Sequence, residues 1–299
     1  MLPLPDAVAA DLDALLARAL AEDVGAGDVT TEATIPEGTR ATARFLLKED
    51  GVVAGLAVAE RVFAAVDPDV DVAWMAADGD RLGAGSVFGT VTGRARSILV
   101  GERLALNLMQ RMGGIATASA RMAEAARPAT VLDTRKTAPG MRHLDKWAVR
   151  LGGAQNHRVG LFDMVLVKDN HIAAAGGVRA AIEAVDRHLR EHDLDVPVEV
   201  EARTLDEVDA VLAAVADGLR VDRVLLDNMA SRTEAGLDVS MLEAAVRKID
   251  GRIQTEASGN VTLETVGAIG ATGVDFISSG ALTHSVAALD VSLKIDLVP

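Results

Sequence analysis

Residues 196–227, VPVEVEARTLDEVDAVLAAVADGLRVDRVLLD, hold one complete strand–helix–strand repeat. VPVEV (196–200) and RVLL (223–226) are short runs rich in branched residues. Between them, Leu205 to Val215 places Val208, Val211, Leu212 and Val215 at helical spacing. The same alternation continues on both sides. Apolar runs recur at ATVLD (129–133), MVLV (164–167), RIQT (252–255) and DFIS (275–278), and Val178 to Leu189 reads as another amphipathic helix through Ile182, Val185 and Leu189. Strict alternation predicts βαβ crossovers and a parallel sheet, and near-continuous apolar strands predict a sheet covered on both faces.

The residues that follow each run carry the chemistry. The runs deliver Thr134-Arg135-Lys136, Lys168-Asp169-Asn170, Glu199-Val200-Glu201, Asp227-Asn228, Ala257-Ser258-Gly259 and Ser278-Ser279-Gly280. In an α/β barrel this rim holds the site, and the last two strands commonly bind phosphate through backbone amides. Ser258-Gly259-Asn260 and Ser279-Gly280 suit that task, because glycine lets the backbone approach an anion closely. Each Ser-Gly pair alone is more often an ordinary turn, but two at successive strand ends favour the phosphate reading. Glu199 and Glu201 face the same side of one strand, and Glu201 with Asp227 offers two carboxylates on adjacent strands. Such a pair suits Mg²⁺ held through water beside a diphosphate, with a salt bridge to a neighbouring cation as the alternative.

The chain has 299 residues, 49% hydrophobic, with a formal charge of −14 and no cysteine. Disulfides, thiolate nucleophiles and sulfur-based zinc sites are excluded. So large an acidic excess argues against nucleic-acid partners. No apolar run reaches the roughly 20 residues of a membrane span, and Asp6, Asp11 and Asp13 precede the first basic residue, so the sequence reads as cytoplasmic and without a membrane partner. Against this background the stretch Asp133 to Arg158 is basic, with Arg135, Lys136, Arg142, Lys146, Arg150 and Arg158 against Asp133 and Asp145. Lys146 and Arg150, four apart in LDKWAVRLGG, read as a solvated helix face. Arg135, Lys136 and Arg158 lie at ends of apolar runs or beside Gly and Asn, where side chains converge, and suit a pocket for a small polyanion. His157, between Asn156 and Arg158 in a Gly-rich loop, reads as a hydrogen-bond donor. His188 and His192 read as a solvated helix end. No dinucleotide or P-loop glycine motif and no hydrolase elbow is present.

The first 110 residues differ. A helix around Leu12 to Leu20, strand runs at 42–47 and 51–54 with Asp50-Gly51 as a turn, and further runs at 70–75 and 86–92 predict a small antiparallel α/β sandwich. A helical region from Ile98 to Ala126, broken at Gly113-Gly114, joins the two parts. In the tail DVSLKIDLV, alternate residues Val291, Leu293, Ile295 and Leu297 predict a half-buried strand that returns to the first sheet.

In sequence order, AEDVGAGDVTT, GERLALNL, DTRKTAPGMR, LGGAQNHRVGLFDMVLVKDNHI, VPVEVEA, LLDNM, EASGN and GVDFISSGALTHSVAALDVSL closely resemble the quinolinate phosphoribosyltransferases, the carboxylating nicotinate-nucleotide pyrophosphorylases. The resemblance spans nearly the whole chain. Departures are minor: Gly113 for a usual Ser, Ala138 for a usual Thr, Trp147 for a common Tyr, and a slightly longer loop between Glu201 and Asp227. The resemblance implies an N-terminal open α/β sandwich (residues 1–112, joined by a C-terminal strand 286–299) and an atypical α/β barrel of about seven strands (113–285). Reading the residues alone finds six. It further implies transfer of the phosphoribosyl group of phosphoribosyl pyrophosphate to quinolinate with decarboxylation, in a homodimer whose sites are shared between chains. Arg135, His157, Arg158, Lys168 and the partner's Arg103 would bind the quinolinate carboxylates. Ser258, Gly259, Gly280 and His284 would bind the 5-phosphate. Glu201 and Asp227 would hold the ribose hydroxyls and hydrated Mg²⁺, while Lys136, with Lys168, neutralises the departing pyrophosphate. The alternatives are a paralogous transferase for another heteroaromatic acid and a noncatalytic phosphosugar-binding protein.

Overall fold

The computed structural model describes residues 4–234 and 236–298, apart from the side chains of Leu297 and Val298. Residues 1–3, Pro299 and the Leu297 side chain, which the domain ranges and the tail pattern include, lie outside the described residues. In chain order the helices are α1 (Asp6–Val24), α2 (Val29–Thr34), α3 (Leu56–Val66), α4 (Ala95–Ala125), α5 (Arg142–Leu151), α6 (Asp169–Ala175), α7 (Val178–Glu191), α8 (Leu205–Ala216), α9 (Ser240–Ile249), α10 (Val266–Gly270) and α11 (Ala281–His284). The strands are β1 (Arg40–Leu47), β2 (Gly51–Val52), β3 (Asp71–Trp74), β4 (Arg81–Leu82), β5 (Val87–Arg94), β6 (Thr130–Leu132), β7 (Val165–Val167), β8 (Val198–Ala202), β9 (Arg223–Asp227), β10 (Ser231–Thr233), β11 (Gly236–Asp238), β12 (Gln254–Ser258), β13 (Phe276–Ser278) and β14 (Val291–Val298).

The chain forms two compact units. The first comprises residues up to 120, 137–153 and those from 282 onward. Its sheet is antiparallel in the order β14-β1-β5-β3. Along β1, Ala41, Ala43, Phe45 and Leu47 are buried, as a period of two requires for one packed face. The Phe45 ring lies 4.8 Å from Trp74, 5.8 Å from Phe88 and 6.4 Å from Phe63, centroid to centroid. The tail strand returns to this sheet as expected, with Leu47 opposite Val291.

The chain turns at Asp50-Gly51 as expected, and β2 then pairs with β4, because β5 and β14 occupy both edges of β1. Two expectations for this unit fail for identifiable reasons. The helix is not broken at Gly113-Gly114. α4 runs through both, and a Cβ on Gly114 would lie 2.1 Å from the Ala287 carbonyl oxygen, one on Gly113 2.8 Å from Leu289. These glycines serve close packing against the C-terminal segment, at a helix-propensity cost of about 1 kcal/mol each. Finally, Lys146 is buried rather than solvated, because every residue from Leu144 to Val149 is buried, whereas Arg150 is exposed.

The second unit, residues 121–136 and 154–281, is the βα-repeat region. Its parallel strands follow the order β6-β13-β12-β9-β8-β7. Gln155 adds a single parallel bridge to Leu132, its amide donating to Val131 and its carbonyl accepting from Asp133. The six strands read from the residues are all present, and Gln155 occupies a reduced seventh position. All five residues of β8 are buried. Val198 and Val200 pack in a core with Val167, Ile182 and Val211, so helices α7 and α8 cover that face, and each such valine contributes about 1.5–3 kcal/mol of burial. Glu199 and Glu201, on alternate positions, therefore face the barrel interior.

Candidate active site

At the carboxyl ends of the second unit's strands a cavity collects side chains from seven segments. Arg135 and Lys136 follow β6, His157 and Arg158 follow the Gln155 bridge, and Lys168 follows β7. Opposite them are Glu201 of β8, Asp227 of β9 and Ser258 of β12, with Ser278 closing the ring. The alternation of each strand produces this convergence, since its last inward position lands at the rim. A larger cavity, about 560 Å³, opens at the amino ends of β8, β9 and β12, but its arginines already have protein partners.

The cationic side is built for an anion. Burial lowers the proton affinity of Arg158, and the neighbouring positive charge of Arg135 lowers it further. Arg158 is anchored through Nη1 to the Met164 carbonyl at 3.2 Å, while the buried Nε of Arg135 has no hydrogen-bond partner in the protein. Two guanidiniums that repel one another, one with an orphaned donor, fit a planar multivalent carboxylate. Lys168 stands exposed as the N-cap of α6, its amide donating to His171 Nδ1 at 2.9 Å.

The acidic side suits a cation. Burial raises the pKa of Glu201, and the negative charges of Asp227 and Asp169 raise it further, against the opposing effect of Lys168. Asp227 is raised likewise, first by burial, although a hydrogen bond from Asn228 opposes this. Burial and neighbouring negative charge, from Asp169 on both and from Asp227 on Glu201, would be relieved by a divalent ion, so these residues fit hydrated Mg²⁺.

The turn after β12 is sterically specified. Gly259 has φ +93°, and a Cβ there would lie 2.2 Å from Asn228 Oδ1. Asn228 is itself left-handed at φ +56°, and its amide donates to the Ser258 carbonyl at 2.8 Å. Gly280 lies two residues beyond Ser278 in the same unit.

Two features depart from the sequence reading. Arg103, expected to act from a partner chain, is exposed on α4, and His284 is bonded to Ser285 at the end of α11; both belong to the first unit, whereas the cavity lining comes from the second. Both ring nitrogens of His157 are engaged inside the protein: Nε2 lies 2.9 Å from Glu199, and Nδ1 accepts from the Arg158 amide at 2.8 Å. Burial disfavours the charged ring, but the hydrogen bonds to Glu199 and Glu256 outweigh it and push His157 up to about 9. The amide donation to Nδ1 fits only a ring unprotonated there, so protonation would require that contact to open. Glu256 and Asp169 were not anticipated. Glu256 could have been read from its alternation with Ser258 along QTEAS, and Asp169 from its place after Lys168.

The family model for the quinolinate phosphoribosyl transferase C-terminal domain matches residues 115–294, and that for the N-terminal domain matches residues 28–113. The chain is similar to the chloroplastic carboxylating nicotinate-nucleotide pyrophosphorylase of Arabidopsis thaliana, at 58% identity over 96% of this chain and 83% of that one. It is 42% identical to a probable carboxylating nicotinate-nucleotide pyrophosphorylase of Synechocystis, covering 95% and 92%. The structure resembles that of NadC from Streptococcus pyogenes with a TM-score of 0.87 and 38% identity, covering 96% and 97% of the two chains.

Proposed function

Because the chain belongs to the quinolinate phosphoribosyltransferase family, we propose that the cavity of the second unit is where it joins quinolinate to the ribosyl group of phosphoribosyl pyrophosphate. The activity is that of a carboxylating nicotinate-nucleotide pyrophosphorylase, a step of NAD biosynthesis. One observation carries the site reading: two mutually repelling arginines, one with a buried donor lacking a partner, face two mutually repelling carboxylates across a single cavity. Such an arrangement recognises a dianion and a polyol or cation side by side. Neither the paralogous substrate nor a noncatalytic phosphosugar pocket gains support from a relative.

Arg135 and Arg158 bind the two ring carboxylates as planar forks, and Lys168 adds a point charge. Ser258, Gly259 and Gly280 receive the 5-phosphate, and Glu201 and Asp227 orient the ribose hydroxyls. The quinolinate ring nitrogen forms the bond to C1 of the ribose while the bond from C1 to pyrophosphate oxygen breaks. Lys136, with Lys168, stabilises charge collecting on that oxygen, the kind of electrostatic preorganisation expected to dominate. The 2-carboxylate then leaves as CO₂, its electron pair held beside the pyridinium nitrogen until a proton replaces it. Glu201 and Asp227 would also hold hydrated Mg²⁺, whose chemistry there would be additional charge neutralisation. In a homodimer the partner's Arg103 would complete the carboxylate pocket.

Among the described residues no helix is long and apolar enough to cross a membrane, and we place the activity in the cytoplasm. Calorimetric titration tests the site. Quinolinate should bind the wild-type protein and lose about tenfold or more in affinity with Arg158→Ala, the scale of a lost charge-assisted hydrogen bond. Unchanged affinity would remove Arg158 from the pocket.

A further inference from the structure

Beneath the cavity the barrel interior is ionic. Parallel barrels ordinarily fill this space with branched apolar side chains. Here Glu199 and Glu256, both essentially inaccessible, meet His157 Nε2, at 2.9 Å from Glu199 Oε2 and 3.5 Å from Glu256 Oε2. Glu256 Oε2 also accepts from Arg223 Nη1 at 2.9 Å, and the Arg223 guanidinium lies over the Phe276 ring at 4.0 Å. Above His157, the Arg158 amide donates to Nδ1, and Asp133 accepts from the His157 amide at 2.9 Å and from Asn156 Nδ2 at 2.7 Å. A continuous chain of polar contacts therefore runs from Arg223, at the start of β9, through Glu256 and His157 to Arg158 in the cavity.

A buried metal is one reading of a histidine with two glutamates, but the tautomer opposes it. An imidazole that ligates through Nε2 carries its proton on Nδ1 and donates from there. Here Nδ1 accepts from a backbone amide, so Nε2 holds the ring proton and points it at the glutamates.

Stability does not account for these charges. Burying an ion pair typically gains little over well-packed apolar residues of the same volume. The chain's direction points to the cavity instead. Both nitrogens of His157 are fixed and its amide is held by Asp133, so the ring cannot turn, and the Arg158 backbone is fixed with it. Arg158 then leaves that backbone in one direction, with Nη1 on the Met164 carbonyl. We propose that Glu256 and Arg223 are positioning residues that set the Arg158 guanidinium, through His157, for the carboxylates of quinolinate. This rests on the reading of Arg158 as a substrate-binding residue.

The test compares steady-state constants of the full-length enzyme. Glu256→Gln keeps the volume of the side chain and removes its charge. It should raise KM for quinolinate about tenfold, the scale of one weakened charge-assisted hydrogen bond, with KM for phosphoribosyl pyrophosphate and kcat within about threefold of wild type. Arg223→Lys, which keeps the positive charge but loses the fork, should show the same split if Glu256→Gln does not fold. Because the effect passes through Arg158, Glu256→Gln added to Arg158→Ala should raise KM no further. Equal changes in both KM values, or activity lost only in proportion to unfolded protein in thermal denaturation, would mean a merely structural role and overturn the proposal. If Arg158→Ala raises the quinolinate KM but neither variant does, the positioning role fails alone. If Arg158→Ala changes nothing, the substrate reading and this inference fall together.

Discussion

Asn228 Oδ1 sits 2.2 Å from where a Cβ on Gly259 would be, so any side chain at that position of the turn after β12 would displace the Asn228 side chain. With φ at +93°, any other residue is strained there as well. Gly259→Ala should cost about 1–2 kcal/mol from the left-handed backbone alone, with more from the clash. It should also raise KM for phosphoribosyl pyrophosphate, because the same turn presents the amides assigned to the 5-phosphate. Urea denaturation and initial rates check both effects, and an unchanged KM would remove Gly259 from the phosphate cradle.

Asp67 in the first unit links stability to pH. Arg94 contacts it through Nε at 2.8 Å and Nη2 at 2.7 Å, and Ser97 donates to it at 2.6 Å. Those hydrogen bonds, Arg94's foremost, hold the carboxyl well below the ordinary range. A carboxylate depressed in the folded state stabilises above its unfolded pKa, near 3.9, and that contribution fades as pH falls further toward the folded value. The difference in urea midpoint between wild type and Asp67→Asn should therefore be largest near neutrality and shrink below about pH 4. A difference that grows on acidification would reverse the sign of the linkage.

Lys136→Ala should act mainly on turnover. If Lys136 meets charge that develops on pyrophosphate as the bond breaks, its removal costs about 10²- to 10³-fold in kcat, by comparison with a lost oxyanion donor. An increase in quinolinate KM at constant kcat would give the lysine a ground-state role instead.

Arg103 tests the shared site. Arg103→Ala and Lys136→Ala homodimers should each be nearly inactive. Mixed in equal amounts with subunit exchange, they should recover about a quarter of wild-type activity, because roughly half the dimers then carry one intact site of two. Exchange proven by mass spectrometry with no recovery would mean that Arg103 serves its own chain.

Much of the catalytic unit was legible because strand alternation and strand ends follow local rules. VPVEV and RVLL announced β8 and β9, and the polar residue after each run is where the cavity lies. Tertiary contacts hid the rest. Gly113-Gly114 looks like a helix break until the Ala287 carbonyl is seen to need the space. Lys146 carries a surface residue's charge but lies in the part of its helix, Leu144 to Val149, that is buried all round. Arg223 and Glu256 sit 33 positions apart, and only the pairing of β9 with β12 brings them together. Arg103 and His284 fall in the other unit, where no local pattern gives them a role.

The most direct measurement follows carbon and phosphorus together. Purified protein receives phosphoribosyl pyrophosphate, Mg²⁺ and quinolinate labelled in its 2-carboxyl group, with nicotinate as the control acid. Equal amounts of labelled CO₂, pyrophosphate and nicotinate mononucleotide from quinolinate, and none from nicotinate, are expected. Pyrophosphate without labelled CO₂, or equal turnover of nicotinate, would contradict the assignment of this cavity to decarboxylating phosphoribosyl transfer.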